Sequence, residues 1–207
     1  ALMGKPWSER DFPLGVSAIT LMGIYRNMMG LKGFSYALYD DRALVEEMAD
    51  QQVEFCLGVF KKIFAAGIKL DFVNLWEDIC YKSGPLFSPK IMKEIMVPRW
   101  RILTDYLRSN GCDVFMLDCD GDVSEFVPLM LEGGVNGIFP LEVQAGMDPV
   151  ALRKQYGKDL IIGGGIDKRA LTKGKREVDA ELERIRLPWL LEQGGYFPLI
   201  EDRKSVV

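Results

Sequence analysis

A parallel α/β fold is what this sequence predicts, on two observations. Short apolar runs rich in β-branched and aromatic residues alternate with longer stretches whose apolar residues recur at helical spacing. Five of the six strand-like runs then end directly in acidic residues: Glu77-Asp78; Asp118 with Asp120 and Asp122; Glu142; Asp167; and Glu201-Asp202. In parallel sheets the polar residues just after the strands form the ligand-binding edge. One acidic mouth is therefore expected, with Asp113-Val114-Phe115-Met116-Leu117-Asp118-Cys119-Asp120-Gly121-Asp122 at its centre.

The elements come in order along the chain. Phe12 to Ala18 reads as a strand running into a loop, and Thr20 to Gly30 as a short Met-rich helix carrying Tyr25 and Arg26. Asp40-Asp41 offers an N-cap to a helix that keeps Val45, Met48, Ala49, Cys56, Val59, Phe60 and Ile63 on one face and ends at Gly67. Leu70 to Trp76 is a strand. Ser88-Pro89 supplies a cap and a first-turn proline for a helix reaching Asn110, kinked by Pro98. After the central strand, Asp122 and Glu125 stand at capping-box spacing and predict a helix from there to Gly133-Gly134. Gly137 to Leu141 is the next strand, Pro149 to Tyr156 a short helix, and Asp159 to Ile162 a strand ending in Gly163-Gly164-Gly165. A charged helix from Lys173 to Gln193, bent at Pro188, leads to a last strand from Tyr196 to Ile200.

Composition narrows the chemistry. With 48% hydrophobic and 27% charged residues, the 207-residue chain reads as a globular protein, long enough for one sizeable core or two small ones. A net charge of -4 gives no general attraction to nucleic acid or anionic membrane. No apolar run approaches the roughly 18 residues of a membrane span, and no signal peptide opens the sequence, so a cytoplasmic protein is expected. The cysteines Cys56, Cys80, Cys112 and Cys119 form no C-x-x-C pair and read as reduced thiols. Histidine is absent, which removes Ser-His-Asp and Cys-His chemistry and the commonest zinc ligand.

Three carboxylates at every second position repel one another unless a cation, a shared proton or hydrogen-bond donors hold them. A calcium loop of the EF-hand type needs glycine at position six and glutamate at position twelve; counted from Asp118 these are Val123 and Leu129. The reading that remains is a metal or substrate-cation site at the strand tip, with Asp122 also able to cap a helix. Gly163-Gly164-Gly165 matches neither dinucleotide nor Walker patterns and reads as a tight turn close to a ligand. Lys168, Arg26 and Arg203 are the cations expected to face the mouth.

A family likeness lies in the order of several segments. These are Trp76-Glu77-Asp78, Phe87-Ser88-Pro89, Asp118-Cys119-Asp120-Gly121, Gly134-Val135-Asn136-Gly137-Ile138-Phe139-Pro140-Leu141-Glu142, Gly163-Gly164-Gly165-Ile166-Asp167-Lys168 and Gly194-Gly195-Tyr196-Phe197-Pro198. Together they resemble the uroporphyrinogen decarboxylase superfamily, whose other branch moves methyl groups between a corrinoid and a thiol. The resemblance implies a (β/α)₈ TIM barrel of which this chain holds strands three to eight. Two N-terminal βα units have no counterpart, so an incomplete chain, or one completed by a partner, is expected.

What the resemblance implies for the site depends on the branch. In the decarboxylases a carboxylate stabilises the cation formed when a pyrrole carbon is protonated, with no cofactor. Asp118, Asp120 or Asp78 would fill that role, with Tyr25, Arg26, Glu77, Glu142, Asp167, Lys168 and Arg203 as substrate contacts. Tyr25 lies one residue from a family tyrosine, and Asp78 stands where the decarboxylases have serine. In the methyltransferase branch a His-x-Cys pair and a later Cys bind zinc. Here those positions resemble Asp118, Asp120 and Glu201, hard ligands better suited to Mg²⁺, Mn²⁺ or Ca²⁺. Cys119 is offset by one residue and on a strand faces the other way. The leading expectation is a decarboxylase acting on a carboxylated tetrapyrrole or related compound. The alternatives are corrinoid methyl transfer at a carboxylate-bound divalent metal, and a non-catalytic tetrapyrrole- or corrinoid-binding module. A homodimer is a further implication of the decarboxylase likeness.

Overall fold

The computed structural model describes residues 9–200. Six strands form one parallel sheet: β1 (Gly15–Ile19), β2 (Phe72–Trp76), β5 (Val114–Asp118), β6 (Gly137–Leu141), β7 (Ile161–Gly164) and β8 (Tyr196–Phe197), lying side by side in that order. A two-stranded hairpin, β3 (Cys80–Tyr81) with β4 (Gly84–Pro85), sits apart from it. Each strand of the parallel sheet pairs with the next in the chain, so every connection must cross over and return. Right-handed crossovers place all the intervening helices on the same face.

Period-two alternation shows which face that is. Val73, Leu75, Phe115, Leu117, Ile138 and Ile162 are buried in the core with Phe60, Trp100, Leu103 and Leu190 from the helices and Phe126 from the turn before one. The opposite side chains, Phe72, Asn74, Val114, Met116, Phe139, Ile161 and Phe197, line an open cavity of about 700 Å³ with Pro13, Asp71 and Leu199. Large and small residues alternate across this second face. A Cβ on Gly137 would collide with Met116 Sδ, and one on Gly163 with the Phe197 ring.

The helices are α1 (Gly23–Asp40), α2 (Arg42–Ala65), α3 (Pro89–Ile91), α4 (Val97–Ser109), α5 (Val127–Glu132), α6 (Pro149–Tyr156), α7 (Lys168–Leu171), α8 (Lys175–Arg184) and α9 (Leu187–Gln193). Asp41 caps α2 through Leu44 N–H and Ser88 caps α3 through Ile91 N–H, as the sequence predicts. Four boundaries differ. Helix α1 continues past Gly30 to Asp40, because Gly30 turns the chain at φ 72° and a second helical segment continues from it. The bend expected at Pro98 is taken up by a π-helical segment over Met92–Met96, and Arg99 Nη1 donates to the Ile95 carbonyl at 2.8 Å. The helix expected at Asp122 begins only at Val127, since Asp122 Oδ1 accepts from Ser124 N–H and closes a local turn instead. The long C-terminal helix is two helices, broken where Arg186 adopts φ 52°.

Candidate functional site at the C-terminal edge of the sheet

All six parallel strands end at the same edge, and the expected acidic residues that lie among the described residues gather there, though with different tasks. Along β2, alternation puts Trp76 on the open face with Phe72 and Asn74, and sends the next residue, Glu77, to the helix side. Glu77 is fully buried. Its Oε1 accepts from Leu21 N–H at 2.8 Å, and its Oε2 accepts from Met22 and Gly23 N–H at 2.8 and 3.0 Å. The N-cap residue of α1, Met22, makes no side-chain cap, and this carboxylate supplies acceptors there from a distant strand. Burial raises the Glu77 pKa above its ordinary value, and the three donors oppose that rise. Glu77 therefore holds a helix where a ligand contact was expected.

Asp78 turns back toward the mouth in a left-handed conformation, φ 48°, that aspartate tolerates better than most residues. Its Oδ2 lies 3.3 Å from Arg26 Nη2, and the Arg26 guanidinium sits 5.6 Å from the Trp76 ring centroid. A cleft of about 420 Å³ opens here, lined by Arg26, Asn27, Gly30 and Leu31 of α1 and by Asp78, Cys80, Tyr81 and Leu86. The structure thus brings two of the expected site residues, Arg26 and Asp78, together.

Asp118 ends β5 on the open face. Across the sheet it stands level with Trp76 on one side and Phe139 on the other. The main chain around it is tied down: its carbonyl accepts from Glu77 N–H at 3.1 Å and Asp78 N–H at 3.3 Å. Cys119 is 1% exposed, and its Sγ accepts from Ile79 N–H, so the thiol lies beneath the edge. The Cys119 side chain, and after it burial, push the Cys80 pKa up and keep that thiol protonated. Asp120 is half-buried two residues beyond Asp118.

The loop beyond β5 is clamped from two sides. Gly121 N–H donates to Glu142 Oε2 at 2.8 Å, which gives Glu142 a structural contact at the end of β6. Asp122 N–H donates to the Tyr81 carbonyl at 2.9 Å, latching the β3–β4 hairpin onto the loop. Gly121 has φ 87°, and a Cβ there would lie 2.6 Å from the Tyr81 carbonyl oxygen. Gly121→Ala is expected to destabilise by about 1–3 kcal/mol through backbone strain and this clash. Chemical denaturation measures it, and an unchanged midpoint would show that the hairpin can move aside.

Neither a family model nor a curated protein matches this chain.

The remaining expected residues fall elsewhere. Tyr25 is 8% exposed, and its hydroxyl donates to the Met48 carbonyl at 2.6 Å, so it fastens α1 to α2 and does not reach the mouth. Asp167 caps α7 through Arg169 N–H and pairs with the Arg169 guanidinium at 2.6 Å, which holds its carboxyl below the usual range. Lys168 is buried beside it at the end of β7. The glycine run approaches protein and not an open cradle: Gly164 closes on Leu141 N and Gly165 on Pro149. Glu201 and Arg203 lie outside the described residues. Among the described residues no three His, Cys, Asp or Glu side chains gather into a metal-binding group. Nor is any described helix long and apolar enough to cross a membrane.

Sequence reasoning missed Trp76 and Phe139 as neighbours of Asp118. The signal was present in the strand alternation, which places Phe72, Asn74 and Trp76 on one face. It also missed the hairpin, whose cue was the turn-forming Lys82-Ser83-Gly84-Pro85.

Proposed function

We propose that this chain is a decarboxylase of the uroporphyrinogen decarboxylase type, acting on a carboxylated tetrapyrrole or related compound without a cofactor. In this reading its six parallel strands are consecutive staves of a (β/α)₈ barrel. The observation that carries the reading is the setting of Asp118: a carboxylate level with Trp76 and Phe139, on the sheet face whose earlier positions Phe72, Asn74, Val114 and Met116 line an open cavity of about 700 Å³. A reduced tetrapyrrole has matching chemistry. Its pyrrole faces are apolar, its N–H groups point inward, and its carboxylates lie at the periphery. Asp118 would accept from the inward N–H donors while the rings lie over the apolar face, and Arg26, 14% exposed beside Trp76, would take a peripheral carboxylate.

The reaction then needs little more than charge placement. Protonation of a pyrrole carbon generates a ring cation, which the fixed carboxylate stabilises. The bond to the departing carboxylate breaks, its electron pair neutralises the cation, and carbon dioxide leaves. A proton taken up at the exocyclic carbon and one released from the ring complete the exchange of carboxylate for hydrogen.

Anaerobic incubation with uroporphyrinogen, then oxidation and chromatographic separation by carboxyl number, tests the reading. Products with successively fewer carboxylates are expected. Unchanged substrate in the presence of folded protein would overturn it.

A further inference from the structure

Three consecutive residues at the tip of β2 grip a single helical turn. Trp76 lies under the Arg26 guanidinium, Asp78 pairs with it, and Glu77 between them takes the N–H groups of Leu21, Met22 and Gly23 where the same helix begins. Asp78 can reach back only because it adopts φ 48°. The turn so held is short, because Gly30 interrupts α1 at φ 72° and leaves only residues 23–29 rigidly attached to the clamp. Its other local tether is Ile24 N–H to Thr20 Oγ1, at 3.1 Å.

We propose that Glu77 is a positioning residue for the mouth: its carboxylate sets the first turn of α1 so that Arg26 lies over Trp76 and beside Asp78, where it receives a substrate carboxylate. The inference rests on the reading of the mouth as a substrate site. The connection is direct. Met22 N–H donates to Glu77, and Met22 O accepts from Arg26 N–H at 2.9 Å, so the clamp and the arginine share one peptide-to-peptide link. The fit is also tight, since a Cβ on Gly23 would lie 2.5 Å from the Glu77 carbonyl oxygen. A carboxylate that merely filled the core would have no reason to meet the turn that carries the mouth's arginine. Full burial also makes a carboxylate a costly way to fill space.

Two variants test this from opposite sides of the contact. Glu77→Gln weakens the acceptor while preserving shape, and Gly23→Ala pushes the helix start away while leaving the carboxylate intact. In nuclear magnetic resonance spectra the Arg26 side chain should show an upfield ring-current shift from Trp76, assigned by its disappearance in Arg26→Ala. Both variants are expected to lose that shift. In turnover, Glu77→Gln and Arg26→Ala should each raise KM by about tenfold with kcat within about threefold. Their double variant should be no worse than either alone. Persistence of the shift in both variants, or KM effects that multiply in the double variant, would overturn the inference. Should the wild-type protein turn over no tetrapyrrole, the functional reading fails separately, and the ring-current result alone decides the inference.

Discussion

Asp118→Asn is expected to lower kcat by about 10²–10³-fold while changing stability by less than about 1 kcal/mol. The substitution keeps the shape of the side chain and removes its charge, and in the proposed decarboxylation the charge matters most when the pyrrole ring becomes cationic. An interaction that strengthens in the transition state appears in kcat, whereas one present equally in the bound substrate appears in KM. Arg26→Ala provides the contrast, because a peripheral carboxylate is held alike before and during reaction, and its effect should fall on KM. Asp120→Asn tests the other carboxylate expected at this tip. Asp120 is half-buried beyond the strand end, outside the register that sets Asp118 between Trp76 and Phe139, so a smaller loss of kcat is expected. Steady-state kinetics on the three variants, with thermal melts as the control for folding, separate these cases. An Asp118→Asn variant with wild-type kcat would remove Asp118 from the proposed chemistry.

The parts of this fold that sequence made legible are those governed by local periodicity. Strands at Val114–Asp118 and Gly137–Leu141 and the helix at Pro149–Tyr156 stand where the short apolar runs and helical spacing place them, because each is decided by its own side chains. The C-terminal edge was legible too, since parallel strands must deliver the residues after them to one side. The task of each acid there was not. Glu77 and Asp78 are adjacent and chemically alike, yet one is buried as a helix cap and the other faces a cleft. That division depends on a partner 54 to 56 positions away in the chain and on one positive φ. Asp122 shows the same limit on a smaller scale. Its spacing to Glu125 fits a capping box, but a turn closed with Ser124 N–H competes for the same oxygen, and the helix begins only at Val127.

The largest effect on stability is expected at Glu77. Glu77→Ala leaves the N–H groups of Leu21, Met22 and Gly23 without their acceptor inside the core, and a loss of about 3–5 kcal/mol is expected by denaturant titration. Glu77→Gln, which retains an oxygen acceptor, should lose less. The dependence on pH identifies the cause. Because burial raises the folded pKa of Glu77 above its ordinary 4.5, the unfolded chain releases this proton first. The contribution of protonated Glu77 is therefore complete below the unfolded value and is lost as pH rises through the folded one. Asp71 and Asp167 behave oppositely. Arg10 and Arg169 hold their pKa values down, so what they contribute is present above the ordinary carboxylate range and is lost as pH falls through their lowered values. Subtracting the Glu77→Gln stability curve from that of the wild type cancels those two and isolates a difference that declines upward from pH 4.5. The nearby Cys56 thiol, pushed up to about 11 by burial and then by the Glu77 charge, stays protonated throughout that window. A difference curve that is flat there would mean that Glu77 is already ionised in the folded state at low pH. The three backbone donors, aided by the helix dipole, would then outweigh the cost of burying the charge.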